Sequence, residues 1–127
     1  EGLTQADPGL RVRLFNAGKA DKNDIVTEIF RSRGVLVGSP TINRGYLSSL
    51  GGLLEMVRGL GFKNKKAAAF GAYGWSGESV KLLTAQLKEC GFEVPAACDA
   101  GIRAMWNPDG DALAQCRAFG LEFGKSL

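Results

Sequence analysis

Histidine is absent from all 127 residues. That excludes Ser-His-Asp and Cys-His nucleophile systems, histidine general bases and the commonest zinc sites. Cysteine is scarce. Cys90, Cys98 and Cys116 are far apart, odd in number and without a C-x-x-C spacing. That pattern argues against a disulfide framework or thiolate metal cluster, and free, buried or half-buried thiols in a reducing cytoplasm are expected. No apolar run approaches the roughly 18 residues of a membrane span. Neither charge sign dominates: 16 Lys and Arg against 13 Asp and Glu leave +3, too mild to indicate nucleic acid. The opening Glu1-Gly2-Leu3 carries no Met, basic segment or apolar signal stretch, and it reads as a cut from something longer.

What is present is ordinary globular material: 45% hydrophobic, 23% charged, with a mean hydropathy of -0.04. The length suits one domain with a core, residues 1–127. Glycine is in excess at 18, against a usual share of roughly 7%. Such an excess suits tight strand-to-helix turns or backbone that approaches a ligand closely.

Along the chain, Leu10-Arg11-Val12-Arg13-Leu14-Phe15 alternates apolar and charged residues and predicts a half-exposed edge strand. Asp21 opens a helix with Asp24 as a short capping box, an apolar stripe of Ile25, Val26, Ile29 and Phe30, and Gly34 as its stop. Gly34 to Gly38 is a continuous aliphatic run, as a parallel strand covered on both faces requires. After the turn residues 39–45, Leu47, Leu50, Leu53, Leu54 and Val57 mark a second helix. Lys63 to Lys66 reads as a solvated basic connection, followed by the buried strand Ala67 to Phe70. The loop 71–77 leads to a helix with Val80, Leu83, Leu87 and Cys90 on one face. Phe92-Glu93-Val94 starts another strand, resumed near Ile102 to Trp106. Asn107 caps and Pro108 begins the last helix, with the stripe Leu113, Cys116, Phe119 and Phe123.

Strands alternating with helices predict an α/β fold, an open doubly wound parallel sheet with helices on both faces. Ligands of such sheets bind beyond the carboxyl ends of the strands, which selects the loops 16–21, 39–45 and 71–77. In the last, Tyr73 and Trp75 stand among Gly71, Gly74 and Gly77, with Ala72 and Ser76 between. Aromatics on glycine-rich backbone suit a flat π ligand; the alternative is that Trp75 plugs the end of the core. Ser76 is the expected N-cap of the next helix. In loop 39–45, Ser39 and Thr41 offer hydroxyls, Pro40 stiffens the turn, and Asn43 and Gly45 permit unusual backbone angles. A βα turn ending in a helix cap accounts for the same residues. Gly120 to Ser126 mimics a phosphate loop, but is one residue short and lies inside a helix. Asp24 and Glu28 are a solvent-facing pair rather than metal ligands. No catalytic or metal-binding residue is expected.

Gly38-Ser39-Pro40-Thr41-Ile42-Asn43, Lys63-Asn64-Lys65-Lys66-Ala67-Ala68-Ala69-Phe70-Gly71, Tyr73-Gly74-Trp75-Ser76-Gly77-Glu78 and Trp106-Asn107-Pro108-Asp109 through Cys116-Arg117 resemble the flavodoxin-like domain of flavodiiron proteins. The resemblance implies a five-stranded sheet of order 2-1-3-4-5 holding FMN non-covalently. Ser39, Pro40, Thr41, Ile42 and Asn43 would border the isoalloxazine on one side. Ala72, Tyr73, Gly74, Trp75, Ser76 and Gly77 would border it on the other. It also implies electron transfer from a rubredoxin or flavin reductase partner to a diiron centre on a metallo-β-lactamase-like domain, which reduces oxygen or nitric oxide. The family's first strand and its Ser/Thr-rich phosphate turn have no counterpart here, and residues 1–9 resemble the end of the helix after them plus a linker. That predicts a gap of one strand width, roughly 4.8 Å, weak or absent FMN binding by this stretch alone, and exposed edges that favour homo-oligomers. The competing reading is a cofactor-free interaction or assembly module. A phospho-receiver is disfavoured, because Gly38-Ser39-Pro40 stands where an acceptor Asp would be needed.

Overall fold

A computed structural model describes residues 1–127. Three parallel strands, β1 (Gly34–Pro40), β2 (Lys66–Tyr73) and β3 (Ile102–Met105), form one sheet in that spatial order. They alternate with α2 (Lys22–Arg31), α3 (Ser48–Leu60), α4 (Ser79–Glu89) and α5 (Gly110–Ser126), and a short α1 (Gly2–Ala6) precedes them. The doubly wound architecture read from the alternation is therefore the observed one.

Period-2 side-chain alternation sends Val37, Ala67 and Ala69 to one face, where Ile25, Ile29, Leu53, Val57, Leu83 and Leu87 cover them. Ala68 faces the other way, onto Phe123 and Cys98. Alanines in three successive positions of β2 are fully buried, so helices close in from both sides. A shallow 3₁₀ turn, Ala96–Cys98, interrupts the run from Glu93 to β3. Glu93 bridges Lys66, and Ile102 resumes along the same edge of β2 at Phe70, so the two extended pieces do serve one strand position.

Several expectations need correction. Leu10 to Phe15 forms no strand. The backbone of residues 11–15 makes no hydrogen bond, because no strand lies alongside to pair with it. The sheet accordingly has three strands rather than five. Ser39 and Pro40, and likewise Gly71 to Tyr73, belong to strands rather than loops, because the ladder runs on through Ser39↔Gly71 and Pro40↔Ala72. The last helix is capped not by Asn107 but by Asp109, whose carboxylate accepts from Ala112 N–H at 2.9 Å. Leu113 and Cys116 are exposed; the first half of α5 extends past the short β3, and only Phe123 and the glycines packed on α1 are buried. Lys65 is not merely solvated. Its Nζ donates to the Phe30 and Ser32 carbonyls at the end of α2, neutralising orphan acceptors there, and partial burial lowers its pKa. Asp21 caps α2 as predicted, accepting from Asn23 N–H at 2.7 Å.

Leu83 is 0% and Leu113 43% exposed. Leu83→Ala should therefore cost about 3 kcal/mol, within the range for emptied core sites, and Leu113→Ala under about 1 kcal/mol; urea unfolding at constant m-value measures both. Cys90 and Cys98 are buried and their thiol pKa values are raised by desolvation, whereas Cys116 is exposed. A thiol reagent such as DTNB should label Cys116 rapidly in the native protein and the other two only on unfolding.

Candidate functional site

All three strands end at one edge, so the loops after Pro40, Tyr73 and Met105 adjoin. Backbone bonds lock them in turn: Thr41 N–H donates to Ala72 O, and Trp106 N–H to Tyr73 O, both at 2.8 Å. Pro40 and Trp75 thus belong to the same edge.

In the first loop, Ile42 and Gly45 exchange two backbone bonds across Asn43 and Arg44, whose φ values of 50° and 59° define a left-handed two-residue turn. Asn43 takes the unusual angle as predicted, but its companion is Arg44, not Gly45. Hydroxyls hold the base of this loop. Thr41 Oγ1 donates to Ser79 Oγ at 2.9 Å, and Ser79 Oγ donates to Ser39 O at 3.1 Å. Ser39 Oγ accepts from Leu47 N–H at 3.0 Å and donates to Pro40 O at 2.7 Å. At 3% exposure, the Ser39 hydroxyl is committed inward and fastens the loop rather than lining its outer surface.

The second loop turns sharply at Gly77, φ 74°, and α4 then starts at Ser79 without a side-chain cap. Ser76 is not the N-cap. Its hydroxyl instead donates to the Glu78 carboxylate at 2.6 Å. That bond, aided by Glu78's own N–H and by the positive charges of Arg44 and Arg103, holds the Glu78 carboxyl below its ordinary pKa. The N–H groups of Trp75, Ser76 and Gly77 donate to no acceptor within the protein, so they are free for a ligand.

Two residues of the site escaped the sequence reading. Trp106, in a left-handed conformation at φ 52°, sets its ring edge-to-face against Trp75, with centroids 5.5 Å apart. Both rings are exposed, at 86% for Trp75 and 62% for Trp106. Trp75 therefore does not plug the core. A Cβ at Gly74 would stand 2.7 Å from the Trp106 ring, so this indole pair requires a glycine there. Arg103 lies over the Tyr73 ring, 5.1 Å from its centroid, and donates to Gly77 O at 2.8 Å. An aromatic just past a strand end is the signal that would have identified Trp106; nothing local marks Arg103. Loop 16–21 precedes α2, whose Lys22 lies beside Gly52 of α3, and the loop joins none of the contacts just described.

Arg103→Ala should loosen the second loop while leaving the core intact. Amide exchange at Trp75 to Gly77 should rise at least severalfold with little change in the unfolding midpoint; loss of a charged hydrogen bond of about 1.5 kcal/mol or more sets that scale. Exchange unchanged in this loop would show that Arg103 does not hold it.

The flavodoxin family profile matches residues 2–120. The anaerobic nitric oxide reductase flavorubredoxin of Aeromonas hydrophila is 42% identical over 98% of this chain, and that of Klebsiella pneumoniae 44% over 98%. The chain spans about a quarter of the length of these curated relatives, 24% and 25% respectively. Among solved structures, rubredoxin oxygen:oxidoreductase from Desulfovibrio gigas superposes with a TM-score of 0.88 at 32% identity, covering 98% of this chain and 31% of that one. The flavodiiron protein of Giardia intestinalis gives 0.87 at 29%, with coverage of 98% and 31%. An archaeal flavodoxin at 22% identity, covering 98% of this chain and 82% of its own, shares the fold with a TM-score of 0.82. A parallel sheet whose strand ends carry two aromatic loops, and a profile match over nearly its whole length, place this chain in the flavodoxin family.

Proposed function

We propose that residues 1–127 are one flavodoxin-like unit that binds FMN at the strand ends and relays electrons for the reduction of oxygen or nitric oxide. In that reading a rubredoxin or flavin reductase delivers the electrons in the cytoplasm. A diiron centre on a metallo-β-lactamase-like domain receives them. The single observation that carries the reading is the pair of solvent-facing indoles, Trp75 and Trp106, beside backbone N–H groups with no partner of their own. The names of the flavorubredoxin and flavodiiron relatives support the relay.

The residues fit such a group. Planar aromatic faces suit a tricyclic ring, and free N–H donors suit its nitrogen and oxygen acceptors. Trp75 and Tyr73 would hold the ring from the second loop, and Thr41 to Asn43 from the first. Ser39, anchored inward, and Ala72, in the ladder, would keep the two loops in register; Pro40 ends β1 without an N–H. Bound FMN supplies one- and two-electron transfer, while the protein supplies position and charge. Arg44 and Arg103 act on Glu78 at this edge, and positive groups there would favour electron uptake by a bound group.

The chain offers no Ser/Thr-rich strand-to-helix turn for a phosphate. Within residues 1–127 taken alone affinity therefore comes from the ring, and this stretch should bind FMN and riboflavin within about threefold of each other, above micromolar Kd. Trp75→Ala should weaken both about 3- to 10-fold, the ~0.5–1.5 kcal/mol of one aromatic pair. Quenching of flavin fluorescence measures each. Sub-micromolar FMN affinity would overturn the ring-only account, and indifference of binding to Trp75→Ala would overturn the site. A flavin that fails to bind at millimolar concentration would favour the cofactor-free module.

A further inference from the structure

The connection Gly61-Phe62-Lys63-Asn64-Lys65 takes two left-handed steps, at Gly61 (φ 62°) and Asn64 (φ 58°), and lies against the ends of α2 and α3. Between the three is an open recess of about 610 Å³. Val26 and Phe30 of α2, Leu60 of α3, and Phe62, Lys63 and Lys65 of the connection form its walls. This is the end of the molecule where β1 and β2 begin, opposite the strand-end loops.

Two observations set the recess apart from ordinary surface. The first is its apolar content. Phe30 is 71% and Leu60 56% exposed, and the Phe62 ring stands 6.1 Å from that of Phe30 at a tilt of 57°. These side chains make one contiguous apolar patch rather than scattered single residues. The second is charge. Two lysines line the recess and no carboxylate does, and neither lysine joins any of the protein's ion pairs. An ammonium has three N–H donors. Lys65 commits two of them to the Phe30 and Ser32 carbonyls and lies 5.7 Å from the Phe62 ring centroid. Burial lowers its pKa, and no neighbouring carboxylate acts to raise it. One donor therefore remains for an anionic group.

Shape decides the kind of occupant. Small-molecule sites bury roughly 70–90% of their ligand, and walls as open as Phe30 and Leu60 do not enclose one that far. A membrane surface takes a continuous apolar helix face, whereas these side chains surround a hollow. A side chain carried on a polypeptide enters a hollow while its neighbours meet the rim.

We propose that this recess docks an acidic segment of a partner protein, with one aromatic side chain seated among Phe30, Leu60 and Phe62 and flanking carboxylates on Lys63 and Lys65. A third ring extends the tilted Phe30–Phe62 pair in the geometry aromatics prefer, and the lysines select acidic flanks. The inference is independent of the flavin reading, since the recess and the aromatic loops lie at opposite ends of the strands.

The probe is an acetylated, amidated peptide, Asp-Glu-Phe-Glu-Asp, titrated at low salt into the nitrogen-15-labelled protein. Expected is saturable binding, with amide shifts confined to residues 26–30 and 60–65 and weakened by added salt. Phe30→Ser and Lys63→Glu, both at exposed positions, should keep the unfolding midpoint and weaken the peptide about tenfold and about threefold respectively. Peptides with glycine for the phenylalanine, or lysines for the acidic residues, should not saturate. No saturation by the acidic peptide at millimolar concentration overturns the proposal, as does equal binding of the lysine peptide or by the Phe30→Ser variant. Co-sedimentation with phosphatidylglycerol vesicles in place of peptide binding overturns it in favour of a membrane surface. A dimer that shifts the same amides without peptide overturns it in favour of a second copy. Flavin titration of Phe30→Ser should match that of the parent, which separates this result from that of the strand-end site.

Discussion

Pairing of β1 with β2 is the contact on which everything else rests. Seven residues in parallel register, Gly34↔Lys66 to Pro40↔Ala72, bring two crossovers to one edge. The pairing is tight because β2 offers Ala67, Ala68 and Ala69, all fully buried, so that α3 and α4 close over one face and α5 over the other. Bulkier residues there would push the helices away and open voids in a core whose interior packs like a crystal.

The register also decides how the loops behave. Once Pro40 and Ala72 are level, Thr41 reaches Ser79 across the gap, and a chain of hydroxyls from Thr41 through Ser79 to the Ser39 carbonyl joins both loop bases. These are buried or half-buried polar groups that would be costly unpaired, and each finds its partner in the neighbouring crossover. The tips above them stay exposed. Rigid bases with accessible tips are what a binding edge on an α/β sheet requires.

The same pairing leaves its mark on the opposite side. Because β1 bonds only to β2, half of its polar backbone faces the cavity beside residues 11–15. The alternation of Leu10 to Phe15 is a strand pattern, yet those residues form no strand. Period-2 patterning states which faces a strand would show, but a strand exists only where a second backbone accepts its hydrogen bonds.

Much of the rest was legible locally. Aliphatic and small-residue runs mark β1 and β2, the 3.6-residue spacing of Leu50, Leu53, Leu54 and Val57 marks α3, and Asp21 marks the start of α2, because periodicity and capping act over a few residues. Tyr73, Trp75 and the left-handed Asn43 were visible for the same reason. The Ser76 bond to Glu78 in place of a cap on α4, the inward Ser39 hydroxyl, the staple from Arg103 and the packing of Trp106 on Trp75 were not. Each depends on how a turn folds back or on residues brought together from different elements, from Ser39 and Leu47, eight positions apart, to Arg103 and Gly77, 26 apart. Sequence alone determined the alternating α/β class and the two loops that carry aromatic and hydroxyl groups, since those follow from local pattern; the tertiary structure decided which hydroxyls, arginines and rings meet, because only closure of the sheet sets their distances.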